Sequence, residues 1–450
     1  MGSELVNGSA AATLPLSDVL PLSAGLSPDG ELTLGGCDAL ALAGEFGTPL
    51  YVYDVRGIRE QSAAFRAAFS DEYADSSVLY ACKAFLNRPF ARLIAEQGLG
   101  FDAVSGGEIA VLRAAGVEMA GVYFHGNNKG AEELRLALAA GIGRVVIDNP
   151  EEVALVAAAA AEAGLRQPVL LRVSPGVDAH THEKTTTGVL DTKFGVPIAG
   201  GAAERTLRAI LDADGLEFRG LHMHLGSPIF ELEPYVLGVE ALARFIAEVC
   251  RDRLGVEVRE CSPGGGFAAG YRTGQPPPSP AEYARVICGT LRREADRLGF
   301  PLPHLAVEPG RAIVARACVA LYTVGARKEV PGVRTYVAVD GGMADNVRPA
   351  MYGASYEALS AERPLAPAEE TVTIAGKYCE SGDLLVRDVN LPRLRWGELL
   401  AVPASGAYQL SMASNYNLAY RPAVVLVDEG EARLIRRREE ADDLMALDVG

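Results

Sequence analysis

The sequence predicts an α/β plus all-β chain: a (β/α)8 TIM-type barrel over residues 56–311, then a C-terminal β-sheet or β-barrel domain over residues 312–450. Three observations carry this prediction. From about residue 77, short apolar runs alternate with Ala-, Leu- and Glu-rich stretches that open on acidic residues or Asn and close on Gly, as helix ends prefer. The runs are almost continuously apolar, the pattern of strands covered on both faces of a parallel sheet. Eight such units suggest a closed barrel. Past Arg311 the helical periodicity fades and strand-like runs follow one another.

Taken in order, residues 1–29 open with "MGSELVNGSAAATLPLS", which lacks the basic start and continuous apolar core of a signal peptide and reads as a disordered tail. Residues 30–55 ("GELTLGG…TPLYVYD") are β-like and are assigned to the β-domain, making that domain discontinuous. The barrel runs are "SVLYAC" (77–82), "GLGFDAV" (98–104), "GVYFHG" (121–126), "RVVID" (144–148), "PVLLRV" (168–173), "GLHMHL" (220–225), "VEVREC" (256–261) and "HLAVE" (304–308). "TGQPPPSP" (273–280) is a stiff loop between the last two. The β-domain runs extend from "ACVALYTVGARKEV" to "EARLIRR".

Composition removes several function classes. With 49% hydrophobic residues the chain can fill a large core. Its net charge of −16 argues against general affinity for nucleic acid or anionic membrane, which both need a basic face. No uncharged apolar run is long enough to span a bilayer. The seven cysteines (37, 82, 250, 261, 288, 318 and 379) are odd in number and scattered, with no CxxC. A disulfide scaffold and a Cys-rich zinc site are therefore not expected, and a reducing cytoplasm is.

In such barrels the chemistry gathers at the C-terminal ends of the strands. Those ends supply Lys83, Asp102 with Ser105, His125, Arg172, the group His222, His224, Gly226 and Ser227, the triple glycine Gly264, Gly265 and Gly266, and finally Glu308 with Arg311. A strand-end lysine, a glycine turn or a lone histidine is usually structural. Together, a lysine, a phosphate cradle of bare glycine amides after strand seven and a histidine able to stack on a ring fit pyridoxal 5'-phosphate. Lysine would hold the cofactor, and a carboxylate such as Glu308 would keep its ring nitrogen protonated. The "HMH" spacing also permits a metal hydrolase. The other histidines are His125, His180, His182 and His304, and a cation stands beside Glu308, so ligand count disfavours a metal and none is expected.

The segments "YACKA", "GFDAVSGGE", "HGNNK", "GVDAHTH…TGVLDTKFG", "GLHMHLGSPIF", "GGGF", "EPGR", "AVDGGMADNVRPAMYGA", "CESGDLL" and "PASGAYQLSMASNYN" follow one another between about residues 30 and 445. By them the chain resembles the alanine-racemase-like, fold-type III class of pyridoxal-phosphate decarboxylases and, within it, the diaminopimelate decarboxylase family. The resemblance implies decarboxylation of meso-2,6-diaminopimelate to L-lysine and CO2, the last step of lysine biosynthesis, by a homodimer with shared active sites. It implies that Lys83 carries the cofactor and that His224 stacks on its ring. Ser227, Gly266 and the Gly310–Arg311 backbone would hold its phosphate, Gly265 would also bind the cofactor, and Glu308 would hold its pyridine nitrogen. Asp102 and Arg172 stand with the cofactor. Arg311, Arg348 and Tyr352 would bind substrate carboxylates, with Tyr408 touching both cofactor and substrate. Cys379 would be the general acid and Glu380 the reader of the substrate's far end, both delivered from the partner subunit. A thiol, with an ordinary pKa of about 8.5, can donate a proton near neutral pH and be recharged. Two departures flank phosphate ligands: Pro228, where the family usually has Gln, and "CSP" before the triple glycine, where it usually has an acidic residue and Leu.

Neighbouring readings remain open: a related decarboxylase acting on a carboxy-polyamine, ornithine, lysine or a D-amino acid, an inactive dimerising relative, or an amino-acid racemase. Arg348 with Glu380 offers a cation and an anion to a second amino-acid centre, which favours diaminopimelate. A diamine-forming enzyme would want an acidic site without the arginine. A racemase would need a second base, and "CESGD" suits a decarboxylase better. The presence of both Lys83 and Cys379 speaks against an inactive relative.

Overall fold

The computed structural model describes residues 14–178 and 192–450. His180 and His182 lie outside the described residues. Eight parallel strands close into a barrel: Ser76–Ala81, Gly100–Ala103, Val122–Phe124, Arg144–Ile147, Gln167–Ser174, Leu216–His222, Glu260–Gly264 and His304–Val307. The last pairs back onto the first through Leu305–Ser76 and Val307–Val78. Side chains alternate across each strand. Leu79, Tyr123, Val146, Leu170 and Ala306 form a small cluster of their own, while their neighbours Tyr80, Phe124, Val145, Ile147 and Leu171 join the main core. This two-sided burial explains why the runs read as continuously apolar.

Two strands are displaced from their expected positions. The sixth begins earlier and ends at His222, so His224 lies just beyond it, and the seventh begins at Glu260 and runs through "CSP" to Gly264. The proline-rich loop ends in a helix start. Ser279 caps Pro280–Leu298, accepting from the Glu282 amide while Glu282 accepts from the Ser279 amide, with Pro at the first helical position and Gly299 closing the helix.

The second sheet runs in the order Leu384–Leu391, Glu370–Ala375, Arg334–Val339, Cys318–Val330, Leu50–Asp54, Ala423–Asp428 and Glu431–Arg436. Leu50–Asp54 lies inside it, antiparallel to Cys318–Val330 and parallel to Ala423–Asp428. Asp54 then caps the helix Val55–Glu72 that leads into the barrel.

Two expectations need correction. The stretch 30–55 is not β throughout: Ala39–Phe46 is a helix, because "ALALAGEF" combines strong helix formers with the N-cap Asp38, which accepts from the Ala41 amide at 2.8 Å. Residues 1–13 lie outside the described residues, but residues 14–29 are not a disordered tail. Val19 and Leu20 are buried, Leu20 packs with Leu32, Leu34 and Leu42, and Gly25–Leu26 pairs with Leu32–Thr33. Arg316 adds hydrogen bonds to the carbonyls of Ser17 and Leu20. The leucines of "LPLSDVLPL" are what tie this segment down. Among the described residues no helix is long and apolar enough to cross a membrane.

Candidate active site

A cavity of about 560 Å³ opens at the C-terminal ends of the barrel strands. Lys83, Arg172, His224, Ser227, Glu308, Arg311, Arg348, Tyr352 and Tyr408 line it, so most of the residues predicted from sequence meet at one mouth. Lys83 follows the first strand in a single 3-10 turn that aims its side chain into this space. Its ammonium lies 3.2 Å from Asp102 Oδ2, and Asp102 is buried at the end of the second strand. Burial works against the lysine charge, but Asp102, Tyr408 and Glu308 outweigh it and hold the pKa above the ordinary value.

Across the mouth, Glu308 is buried and fully engaged. Its Oε1 accepts from Ser262 Oγ at 2.9 Å, and its Oε2 lies 3.1 Å from His222 Nε2. Burial would raise this carboxyl's pKa, yet His222 and His125 more than offset it and hold the group below the ordinary range. His125 Nε2 stands 3.6 Å from Glu308 and 3.7 Å from Asp102. His125 and His224 are pushed well below the ordinary imidazole value, first by burial and then by neighbouring cations (in His125, against the pull of Glu308). His224 Nδ1 accepts from the Gly265 amide at 3.1 Å, so this neutral ring carries its proton on Nε2.

The glycines form a cradle that a side chain would fill. A Cβ on Gly264 would come 2.5 Å from the Met223 carbonyl, one on Gly265 would strike the Glu308 carbonyl, one on Gly266 the Gly226 carbonyl, and one on Gly310 would lie 2.9 Å from Ala81 Cβ. Gly264 and Gly266 also adopt positive φ of 78° and 96°. A nook of about 40 Å³ lies between Ser227, Gly266, Gly310 and Arg311, next to Lys83 and His224. Bare backbone, a hydroxyl and a guanidinium around so small a space suit a phosphate group. Three buried polar atoms, Asp102 Oδ1, His125 Nε2 and His222 Nδ1, have no hydrogen-bond partner among the described residues, and His125 and His222 line the larger cavity. The amine, the cradle and these unpaired atoms fit pyridoxal phosphate.

Arg172 leaves the fifth strand with its guanidinium 4.6 Å from the centre of the Phe194 ring and 3.2 Å from Asp148 Oδ1. Arg311 donates to Ser227 Oγ at 3.2 Å and to the Tyr271 hydroxyl at 2.7 Å, and lies 4.7 Å above the Tyr408 ring. Tyr408 is held at a φ of 61° with its amide donating to the Ala84 carbonyl at 2.9 Å. His125, His222 and Glu308 present ligand atoms within 4.8 Å of one another, a set that could hold a metal ion. Glu308 is already engaged by Ser262 at Oε1 and His222 at Oε2, and a metal ligated by both His222 and Glu308 would compete with their mutual contact.

Cys379 and Glu380 do not join the others. Both are exposed on the β-domain, where the Cys379 amide donates to Asn417 Oδ1 and Glu380 accepts from the Tyr416 hydroxyl at 2.9 Å. Neither lines the cavity. Conversely, the cavity takes in His125 and His222, which the strand-end rule names without giving them a role, and Tyr271, which has no sequence signal. Ser262, in sequence only part of a departure from the family pattern, holds Glu308.

A family model described as "Pyridoxal-dependent decarboxylase, pyridoxal binding domain" matches residues 55–315. The diaminopimelate decarboxylase of Bacillus subtilis is 47% identical over 420 residues, covering 93% of this chain and 95% of that protein. The chain belongs to the diaminopimelate decarboxylase family of pyridoxal-dependent decarboxylases. The Synechocystis diaminopimelate decarboxylase is 41% identical over 456 residues, covering 99% of this chain and 96% of that protein. Among solved structures, the diaminopimelate decarboxylase of M. jannaschii in co-complex with L-lysine superposes with a TM-score of 0.88 at 34% identity, over 95% of this chain and 98% of that one. The likeness thus spans both domains, with the pyridoxal-binding segment ending where the barrel gives way to the second sheet.

Proposed function

We propose that this chain, with pyridoxal 5'-phosphate, decarboxylates meso-2,6-diaminopimelate to L-lysine and CO2 in the cytoplasm, and that two chains share each active site. The observation that carries the reading is the mouth itself. An amine paired with a buried carboxylate faces a glycine cradle, an ionised Glu308, and two arginines buried to 5% and 7% exposure. A substrate with two carboxylates and two ammonium groups complements such a site. The relatives named above are diaminopimelate decarboxylases, and one is in co-complex with L-lysine. All seven cysteines are free thiols, which suits a reducing compartment.

When bound, the cofactor supplies the electron sink that makes loss of CO2 feasible. The side chains do the rest. Lys83 would hold the cofactor, and Asp102 would pair with the lysine ammonium when it is free. Glu308, held below the ordinary carboxylate range beside His222, would keep a proton on the cofactor's ring nitrogen. Neutral His224 would pack against the cofactor ring, and Arg172 would stand with the cofactor. The backbone of Gly266 and Gly310–Arg311 with Ser227 Oγ would hold the phosphate, while the Gly265 amide holds His224. Arg311, Arg348, Tyr352 and Tyr408 hold the substrate and orient the bond that breaks. Cys379 of the second chain donates the proton that replaces the lost carboxyl, and Glu380 with Arg348 reads the far amino-acid centre. The exposure of Cys379 and Glu380 in a single chain supports this sharing, since a donor outside the cavity must be brought to it.

Incubation of the purified protein with pyridoxal phosphate and meso-diaminopimelate should yield CO2 and L-lysine in equal amounts by chiral product analysis. Release of CO2 from ornithine, lysine or a carboxy-polyamine, and none from diaminopimelate, would overturn the assignment.

A further inference from the structure

Lys129 and Glu152 form a buried ion pair near the barrel mouth that has no part in the chemistry described above. Lys129 stands in the loop after the third barrel strand, and Glu152 in the first turn of the helix Glu151–Glu162 that follows the fourth. Their side chains are only 1% and 2% exposed. An ammonium has three donors, and here each finds an acceptor: the Gly126 carbonyl at 2.6 Å, the Val146 carbonyl at 2.7 Å and Glu152 Oε2 at 2.9 Å. Gly126 belongs to the loop of Lys129, whereas Val146 and Glu152 belong to the next strand and helix. One ammonium therefore ties two neighbouring strand ends together. Asn149 adds a second tie by donating to the Asn127 carbonyl at 2.9 Å.

The pair does not line the cavity, but it is linked to a residue that does. Glu152 Oε2 also accepts from the Asp148 amide at 2.9 Å. The Asp148 carboxylate in turn accepts from the Gly195 amide at 3.0 Å through Oδ2 and pairs with Arg172 at 3.2 Å through Oδ1. Arg172 and the Phe194 ring beneath it both reach the cavity. Lys129, Glu152, Asp148 and Arg172 thus form one buried run of charges that ends at the mouth. A buried ion pair adds little net stability, because desolvation offsets most of its attraction. What it fixes is position, since moving either partner away leaves the other charge unpaired in the interior.

We infer that Lys129, with Glu152, is a positioning residue that acts through Asp148 to hold Arg172 in place, and so governs how tightly and in what orientation the protein seats pyridoxal phosphate. This deepens the proposed function and rests on its placing of Arg172 with the cofactor. Lysine suits the task because its compact ammonium can meet three acceptors from different directions. Glutamate suits it because one carboxylate oxygen can accept from the Lys129 ammonium and the Asp148 amide together.

The test is equilibrium titration of the full-length protein with pyridoxal phosphate, read by the absorbance of the bound cofactor and by its visible circular dichroism, which reports how the ring is held. Lys129→Met keeps the aliphatic stem and removes all three donors. It should weaken cofactor binding by about tenfold, equivalent to about 1.4 kcal/mol, and alter the circular dichroism of the cofactor that still binds. Arg172→Gln, which keeps a donor for Asp148 but carries no charge, should weaken binding by itself. Adding Lys129→Met to it should then weaken binding by less than about twofold more, because residues acting through one another are not additive. Thermal melting reports whether each variant is folded. Glu152→Gln, which keeps the shape and removes the charge, carries the comparison if Lys129→Met is not folded, and the circular dichroism carries it if Arg172→Gln is not. Unchanged affinity and an unchanged spectrum in a folded variant overturn the inference. An equal loss with and without Arg172 also overturns it, since that is what a lysine serving stability alone would give. Because binding is read without turnover, failure of wild type to release CO2 from meso-diaminopimelate would count against the proposed reaction and not against this positioning role.

Discussion

The barrel mouth and the β-domain loop 376–383 are both rich in charged and reactive groups, yet they are built in opposite ways. At the mouth the groups are mutually held, Glu308 and Arg311 in burial and Lys83 half-buried: Lys83 by Asp102, Glu308 by Ser262 and His222, Arg311 by Tyr271 and Ser227. In the loop the frame is rigid but its reactive groups face outward. Asp383 is buried and accepts from the amides of Met343 and Tyr378, and Gly342 and Gly376 leave it room, since a Cβ on either would strike its carboxylate. Cys379 and Glu380 nonetheless remain exposed. A fixed loop with an exposed thiol is what a donor destined for another surface requires. On the proposed reading, the mouth binds cofactor and substrate within one chain, and the loop completes the mouth of a second.

The largest expected effect comes from breaking the loop side alone. Cys379→Ala should lower turnover of diaminopimelate by a factor on the order of 10²–10⁴, the usual contribution of a general acid. The cofactor absorbance should persist, because nothing at the mouth has changed. Stopped-flow spectroscopy with a CO2 assay would show this, and near-normal turnover would return Cys379 to the rank of a surface thiol.

A smaller effect is expected from the mouth side. Arg348→Met removes a buried cation whose charge-assisted hydrogen bond to a carboxylate is worth about 1.5–3 kcal/mol, so kcat/KM for diaminopimelate should fall by about 10–100-fold. Cofactor affinity, measured by fluorescence titration, should stay nearly constant. An unchanged kcat/KM would remove Arg348 from substrate binding.

A third effect, on stability rather than on activity, is expected beside the loop. Asp345 sits in the same turn as Met343, buried against Tyr51 and Tyr322, and its carboxyl is raised to about 6, mainly by burial. A folded-state value above the unfolded one means that the stabilising contribution is complete below the ordinary value of 3.8 and is lost as pH rises through about 6. Asp345→Asn should therefore flatten the fall in stability between about pH 4 and pH 7, by up to about 3 kcal/mol. Thermal melts across that range would show it, and an unaltered pH slope would contradict it.

Much of this is legible in the sequence, for definite reasons. The barrel strands can be read because burial on both faces makes them continuously apolar. Lys83, Asp102, His224, Glu308 and Arg311 can be found because barrel chemistry sits at strand ends. Tyr271 cannot, because its contacts come from a pinned loop with no period. Ser262 looks like a mere departure because its partner, Glu308, is 46 residues away in the chain. The leucines of residues 14–20 resemble a tail because their packing surface, with Leu32, Leu34 and Leu42, is formed by later residues. That Cys379 stands outside its own chain's cavity cannot be read from the residues themselves and enters the sequence reading only through the family resemblance.

The central claim, that each site draws on two chains, is tested most directly by mixing two inactive variants. Lys83→Ala and Cys379→Ala subunits are dissociated, combined in equal amounts and reassociated, and CO2 release from meso-diaminopimelate is measured. If sites are shared, half of the dimers are mixed and each mixed dimer has one intact site, so activity should recover to about a quarter of wild type. If Lys83 and Cys379 act within the same chain, no mixed dimer has an intact site, and activity would stay at the level of the separate variants.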